Sequence, residues 1–505
     1  MMADWGFYGR GEHLSALAQL TSAPHWFFCR IQGRRRIGKT ALLKRLAGQD
    51  ARLLERLVYM QVPDSDELDV VATFRAALES SDRAAVRDLA PSVTDFGSMA
   101  AAIKALCAAG CIVVLDEFQY FCRKGLYAFN SFLQAVVDDL RGSKQGGLFV
   151  LGSIQSEMEA LLENKAAPLY GRLTAQRTVD HWDFEDVLQV FAHHGIEEPG
   201  QWLTLWGFFE GVPKFYQDSF EQGLFQVGAE DFQSELIRRM FLISSAPLTE
   251  EAETWFMREI RGKGITVLNH LAQHPGSNFG DLRQALAGNN EKERSSVSAY
   301  LNGLVDKHRL VEKKSPVFSD AANRSARYYI ADNFLQAWLA VARPARDYAR
   351  LKPVTQAIDY ALPRLQTHEG HVFEKLIRNL HVECSRKGRG DFALTDIKMG
   401  YWNRPRDATR SIEIDLVALD AETKTVRFGT CKRSPLAHDA AALNVFDQHI
   451  GAFLMTKEGK RLQGWNVQKF CFSPKFSQDQ RVVLKARGYE SRDLMDYRGY
   501  LLTRR

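Results

Sequence analysis

The sequence predicts an α/β fold organised around a parallel sheet, and three stretches of chain predict it. Phe27-Phe28-Cys29-Arg30-Ile31-Gln32 reads as a short buried strand. It runs into Gly33-Arg34-Arg35-Arg36-Ile37-Gly38-Lys39-Thr40 and then into the helical Ala41-Leu42-Leu43-Lys44-Arg45-Leu46. Cys111-Ile112-Val113-Val114-Leu115 is a continuous apolar run closed by Asp116-Glu117, and Gly147-Leu148-Phe149-Val150-Leu151-Gly152-Ser153 is a third that ends in a small polar residue. Apolar runs without alternation are expected of strands covered on both faces, as parallel strands are.

At 505 residues the chain exceeds what one hydrophobic core supports, and about three domains are expected. An apolar fraction of 45% with 25% charged residues excludes a disordered or low-complexity chain. No repeat recurs at solenoid periods. The start, Met1-Met2-Ala3-Asp4-Trp5-Gly6, has neither the basic nor the apolar segment of a signal peptide. Apolar stretches such as Ile112 to Leu115 and Ala337 to Ala342 fall far short of the ~18 residues that suggest a membrane span, so no membrane partner is expected. Seven cysteines, an odd and scattered set without zinc-ligand or redox spacing, suggest buried thiols in a reducing, cytoplasmic setting. The net charge of +5 is uneven: from Gln366 onward 25 Lys or Arg face 17 Asp or Glu, which points to a polyanion partner there or to an ordinary basic surface.

The strand, GxxxxGK[ST] and helix succession is a phosphate loop, and its chemistry accounts for each residue type. Gly33 and Gly38 let the backbone curl so that amides face phosphates at the positive end of the following helix, with Gly33 to Ala41, Arg34, Arg35, Arg36 and Ile37 included, forming the nucleotide contact. Lys39 is expected to reach the terminal phosphates and Thr40 to ligate magnesium. Arg34, Arg35 and Arg36 read as a solvated basic edge of the loop. Asp116, at the end of its strand, is placed to hold the magnesium shell, and Glu117 to polarise an attacking water. Ser153 either contacts the γ phosphate or the water, or caps the next helix. ATP and Mg2+ are therefore the expected cofactors, and ATP hydrolysis the expected reaction.

Further along, Ile265 to Ala272, Phe279 to Leu286, and a segment carrying Val297, Tyr300, Leu301, Leu304 and Val305 have helical apolar spacing. Leu310 to Lys314 and Arg327 to Ile330 read as two wing strands, making a winged helix. It could meet DNA through Lys292, Arg294, Ser295, Ser296 and Ser298 of its third helix, or serve as a protein contact. In the last part, His368 to Ile377 reads as a helix bearing Glu374, with His368 and His371 on its surface. Ser411 to Leu419 reads as one strand holding Asp415, and Val426 to Lys432 as another.

Phe7-Tyr8-Gly9-Arg10-Gly11-Glu12, the phosphate loop, Asp116-Glu117-Phe118-Gln119-Tyr120, Pro168-Leu169-Tyr170-Gly171-Arg172 and Glu210-Gly211-Val212-Pro213-Lys214-Phe215-Tyr216 together resemble the archaeal-type ATPases of the AAA+ and STAND lineage, also found in bacteria. The resemblance runs from Trp5 to Ala345. It implies a helical lid, and it makes Arg172 either an arginine finger or sensor or a plain loop arginine; a finger acting in trans would require a homo-oligomer. The acid helix, the Asp415 strand and the strand ending at Lys432 look like the PD-(D/E)xK nuclease core that follows the ATPase in this family. That resemblance implies magnesium held by Asp415 and a glutamate, with Lys432 orienting hydroxide. Thr430 departs from the pattern, since a carboxylate is expected there and a hydroxyl is a poorer magnesium ligand. Either Glu374 or Glu413 compensates, or the domain only binds nucleic acid.

The expected organisation is a P-loop ATPase core over residues 1–180, a helical lid over 181–260, a winged helix over 261–345 and a restriction-endonuclease-like α/β domain over 346–505. Nucleotide state would control nucleic-acid engagement, with DNA favoured. An ATP-regulated nuclease and an ATP-gated scaffold are the alternatives.

Overall fold

The computed structural model describes residues 4–249, 251, 260, 263–287, 291–319, 325–398, 400–403 and 411–503. The chain forms two compact units, Gly6–Trp182 with Val212–Lys214, and Asp183–Gly211 with Phe215–Arg505 and the first residues of the chain.

The first unit is built on β1 (Phe27–Gln32), β2 (Leu57–Gln61), β3 (Ile112–Asp116), β4 (Gly147–Gly152) and β5 (Ala175–Thr178) in the order β2-β3-β4-β1-β5. Every neighbouring pair is parallel. All residues of β1, β3 and β4 are buried, as continuous apolar runs require. Register puts Gln32 beside Gly152 and Gln61 beside Asp116, so the carboxyl ends of four strands share one edge. Open α/β sheets bind their ligands at that edge. Gly152 is required where β4 ends, because a Cβ there would lie 2.3 Å from the Met158 sulfur. Arg30, inside β1, is tolerated because its guanidinium meets Glu163 at 2.5 Å and Gln176 at 2.9 Å.

The second unit contains the helices Phe184–His194, Pro199–Phe209 and Phe232–Ile237, then a winged helix. Its three helices are Lys263–Gln273, Phe279–Ala287 and Glu291–Asn302, and its sheet runs β6 (Ser277–Asn278), β8 (Arg327–Ile330), β7 (Val311–Lys314). The side chains of Lys292, Arg294 and Ser295 lie outside the described residues; Ser298 is exposed and Ser296 half-buried.

The remaining strands are β9 (Asp396–Lys398), β10 (Tyr401–Trp402), β11 (Glu413–Ile414), β12 (Leu416–Asp420), β13 (Thr425–Cys431), β14 (Asn466–Phe472) and β15 (Glu490–Arg492). They make a five-stranded sheet ordered β15-β14-β13-β12-β9 and a separate β10-β11 ribbon. Two expectations change here. The helix around Glu374 begins at Val354 and runs to Arg386, passing through Pro363. Its apolar face continues backward through Leu365, Ala361 and Ala357, and that burial outweighs the hydrogen bond lost at the proline. The single strand expected from Ser411 to Leu419 is instead divided at Asp415, which lies between the ribbon and the larger sheet.

His368 is not on the surface: it is 3% exposed and its Nε2 lies 2.8 Å from the Gly207 carbonyl oxygen. Burial pushes its imidazole down to about 4, so it is neutral at ordinary pH. His371 is exposed, as expected. All seven cysteines are free thiols, and all but the half-buried Cys122 are buried.

Arg427 carries the most demanding buried charge of the second unit. It is 2% exposed, reaches Asp391 at 3.0 Å and Gln468 at 3.1 Å, and stacks on Phe470 at 3.8 Å. Asp391→Ala would leave the guanidinium without its anion and should lower stability by about 2–4 kcal/mol, measured by denaturant unfolding. A change under about 0.5 kcal/mol would show that Gln468 and the aromatic faces suffice.

Candidate nucleotide site and a second acidic pocket

The phosphate loop is wound as its glycines allow. Gly38 has φ 90° and begins the helix Lys39–Gln49; a Cβ at Gly33 would lie 2.3 Å from the Val179 carbonyl oxygen. Ile37, 1% exposed, anchors the loop from below. Its carbonyl accepts from Arg10 at 3.2 Å, which ties the N-terminal segment to the loop. Of the three loop arginines only Arg35 is exposed; Arg34 and Arg36 are half-buried, so the solvated basic edge is narrower than expected. Ala41, at the start of the helix, is exposed.

Lys39 is 7% exposed, and its Nζ donates to the carbonyls of Gly33 at 2.8 Å and Arg34 at 3.1 Å. Burial pushes its ammonium down to about 8, while Glu117 and Asp116 pull it back up. Thr40 follows directly, and its hydroxyl donates to Asp116 Oδ2 at 2.6 Å. The end of β3 therefore touches the start of the helix after β1, which makes a hydroxyl and a carboxylate available to one cation.

Glu117 stands next to Asp116 with φ 57° and ψ 36°, a conformation an L residue adopts only under constraint. Its Oε2 accepts from the Gln119 amide and from Ser153 Oγ at 3.3 Å, and Ser153 N donates to Gln119 Oε1 at 3.2 Å. Ser153 thus joins a network around Glu117 at the end of β4. The sequence gives Tyr59 no role, and Gln119 enters there only as part of the motif that follows Asp116. The Tyr59 hydroxyl donates to Asp116 Oδ2 at 2.8 Å, and burial beside Asp116 raises its pKa. Only the pairing of β2 with β3 reveals Tyr59 as a neighbour, whereas Gln119 lay three residues past Asp116 and could have been found by its spacing.

Arg172 is placed elsewhere. Its Nε and Nη2 meet both oxygens of Asp138 at 2.9 and 2.8 Å, and its Nη1 donates to the carbonyls of Pro168 and Tyr170. A bidentate carboxylate and two carbonyls hold the guanidinium in its own loop, outside the Glu117–Gln119–Ser153 network.

In the second unit, Glu374, Asp415, Thr430 and Lys432 do come together. Asp415 Oδ2 accepts from Cys431 N at 2.9 Å and from the Thr430 hydroxyl at 3.3 Å. Arg378, one turn after Glu374, lies 3.8 Å from that carboxylate and donates to the Asp415 carbonyl at 3.3 Å. Glu374 is pushed up to about 8 by burial and then by the Asp415 charge, against the pull of Arg378 and Lys432. Asp415 is also raised, chiefly by burial, so the two carboxyls hold a proton that a lone surface pair would release. Glu374 and Glu413 line a cavity of about 160 Å³ together with Lys314, Arg327, Tyr329 and Arg378. Sequence spacing offered no means of finding Arg327, which comes from the wing.

Among known proteins, residues 338–442 match a family described as "Archaea bacterial proteins of unknown function". An uncharacterised protein of Methanocaldococcus jannaschii is 24% identical over 424 residues, which is 84% of this chain and 86% of that protein. The Walker-type ATPase PABY2304 of Pyrococcus abyssi aligns at a TM-score of 0.47 and 16% identity, over 66% of this chain and 96% of its own. The Aeropyrum pernix ORC2 protein, solved as ADPNP–ADP complexes, aligns at 0.45 and 14% identity, over 72% and 97%. Among the described residues no helix is long and apolar enough to cross a membrane.

The raised pKa of Glu374 sets a stability profile with a definite sign. A carboxyl whose folded pKa lies above its ordinary 4.5 favours folding below pH 4.5 and loses that contribution as pH rises to about 8. Glu374→Gln cannot titrate. Relative to the wild type it should gain stability steadily from about pH 4.5 to 8 and then level off, read from thermal midpoints across that range. A constant difference would show that Glu374 is not held protonated.

Proposed function

We propose that the first unit binds Mg–ATP at the phosphate loop and hydrolyses it. The observation that carries this is the contact between Thr40 and Asp116 at 2.6 Å, with Lys39 folded over the loop beside them. In a nucleotide complex, Lys39 would exchange the carbonyls of Gly33 and Arg34 for the terminal phosphates. Burial holds its pKa down, and a phosphate there would raise it again. Thr40 and Asp116 would hold the magnesium, which supplies charge neutralisation at the phosphates. Glu117 would accept the proton of the attacking water, while Gln119 and Ser153 keep its carboxylate aimed. Arg172 would join only if it left Asp138, and action on a neighbouring copy would need an oligomer.

Lys39→Ala should weaken ATP binding by about 10-fold or more, and Glu117→Gln should keep ATP bound but cut turnover by about 100-fold or more. Binding by fluorescent-nucleotide titration and phosphate release check the pair. Wild-type turnover by Glu117→Gln would remove Glu117 from the role of base.

For the second unit we infer nucleic-acid engagement without strand cleavage. The surplus of basic residues after Gln366 supports the engagement. The expected second carboxylate is a threonine, and its hydroxyl already donates to Asp415. Metal-dependent cleavage needs anionic ligands held close and a group to activate water, and here burial raises the pKa of both Glu374 and Asp415. Duplex or single-stranded DNA incubated with the protein and Mn2+, with and without ATP, should remain intact. Robust cleavage abolished by Asp415→Ala would overturn this inference and establish a nuclease.

A further inference from the structure

We propose that the wing of the winged helix is a clasp that closes over the acidic pocket of the C-terminal sheet and withholds both from nucleic acid. The proposal rests on the reading that this unit engages nucleic acid. Its observations come from contacts that a freely projecting wing would not make.

The turn after β7 is inserted into the C-terminal core. Val317 is fully buried in the apolar cluster of Tyr401, Ile414, Phe428 and Phe453, and its N–H donates to the Gly400 carbonyl at 3.0 Å. Phe318, at φ 59°, packs against the same cluster and lies under the Arg461 guanidinium at 5.4 Å. Just before the return strand, the Ser325 carbonyl accepts from the Trp402 indole at 2.6 Å. Arg327 of β8 stacks on that indole at 4.7 Å and pairs with Glu413 at 2.7 Å. One side of the wing is thus fastened by an apolar plug and an ion pair.

The same fastening walls one side of the pocket. Lys314, Arg327 and Tyr329 supply its wing side, while Glu374, Arg378 and Glu413 supply the other. Arg327 places its positive charge where a cation or a basic partner of the acids would otherwise sit. Two of the wing's basic residues are meanwhile turned to protein acids, Lys314 to Glu312 at 2.6 Å and Arg327 to Glu413, while Lys313 is exposed. Phosphate contact by Arg327, or approach to Glu413, requires the wing to lift, because that pair already spans the two sides. The ion pair is partly exposed and therefore weak, so the cost of release lies mainly in re-exposing Val317 and Phe318.

The test uses the full chain and two variants. Arg327→Glu sets like charges against each other at Glu413, and Val317→Asp puts a charge into the plug. Arg327→Glu is decisive because Arg327 is half-buried rather than in an apolar cluster; adding Glu413→Arg should restore the wild-type behaviour. Amide hydrogen exchange is followed at 311–319, 325–330 and 400–402 without nucleic acid, and affinity is measured for a fluorescein-labelled duplex of about two helical turns at low salt. The expected result is exchange faster by ~10-fold or more in both variants, with duplex affinity raised ~10-fold and returned by the charge swap. Unchanged exchange at Val317 in Arg327→Glu overturns the clasp. Faster exchange with a duplex affinity equal to a measurable wild-type value overturns the shielding. Faster exchange with no duplex binding by any of the proteins supports the clasp and instead removes the nucleic-acid reading of this unit.

Discussion

A parallel sheet can gather functional groups only where its strands end together, and the first unit depends on that constraint. With β4 between β3 and β1, the phosphate loop leaves one strand, Asp116-Glu117 ends another and Ser153 ends the strand between them. The helix Lys39–Gln49 contributes only its first turn, Lys39 and Thr40, where it leaves the loop. Burial of whole strands fixes the register, and the register fixes the distance from Thr40 to Asp116. The strained backbone at Glu117 is the local consequence, since a carboxylate can turn toward the same edge only by leaving the strand conformation at once.

The second unit solves a different problem, the accommodation of charge inside a sheet and its covering helix. Arg427 is met by an anion, an amide and aromatic faces, whereas Glu374 and Asp415 are met by a retained proton and by Arg378. These are two answers to one desolvation penalty. The first makes a rigid anchor; the second leaves a pocket whose charge depends on what approaches it.

Much of the first unit was legible because its signals are local. Continuous apolar runs located β1, β3 and β4 to within a residue or so, and glycines at 33 and 38 defined the loop. Tyr59 was not legible, since its role comes from strand order, and Arg172 could be named but its capture by Asp138 could not. In the second unit, alternation suggested one strand through Asp415, yet the chain breaks there to enter a second sheet. A polar side chain in a helix usually faces water, so spacing places His368 on the surface, and the Gly207 carbonyl that meets its Nε2 is 161 positions away. Non-local partners of this kind leave no trace in spacing.

The helix Val354–Arg386 is about 50 Å long at 1.5 Å per residue, and the second unit is threaded on it. Glu383 near its end accepts the N–H groups of Phe184 and Glu185, Glu369 accepts from Thr204 and Gln233, and Lys375 reaches Glu210 at 2.6 Å. Glu374 meanwhile faces the acidic pocket from the same rod. Helices that come nearly two hundred positions earlier in the chain therefore complete their hydrogen bonds only after this helix has been made. A ribosome releasing the chain from its N-terminus delivers those early helices long before their backing, so they must wait, with buried-face residues such as Trp202 and Phe208 uncovered, until the last third of the protein emerges.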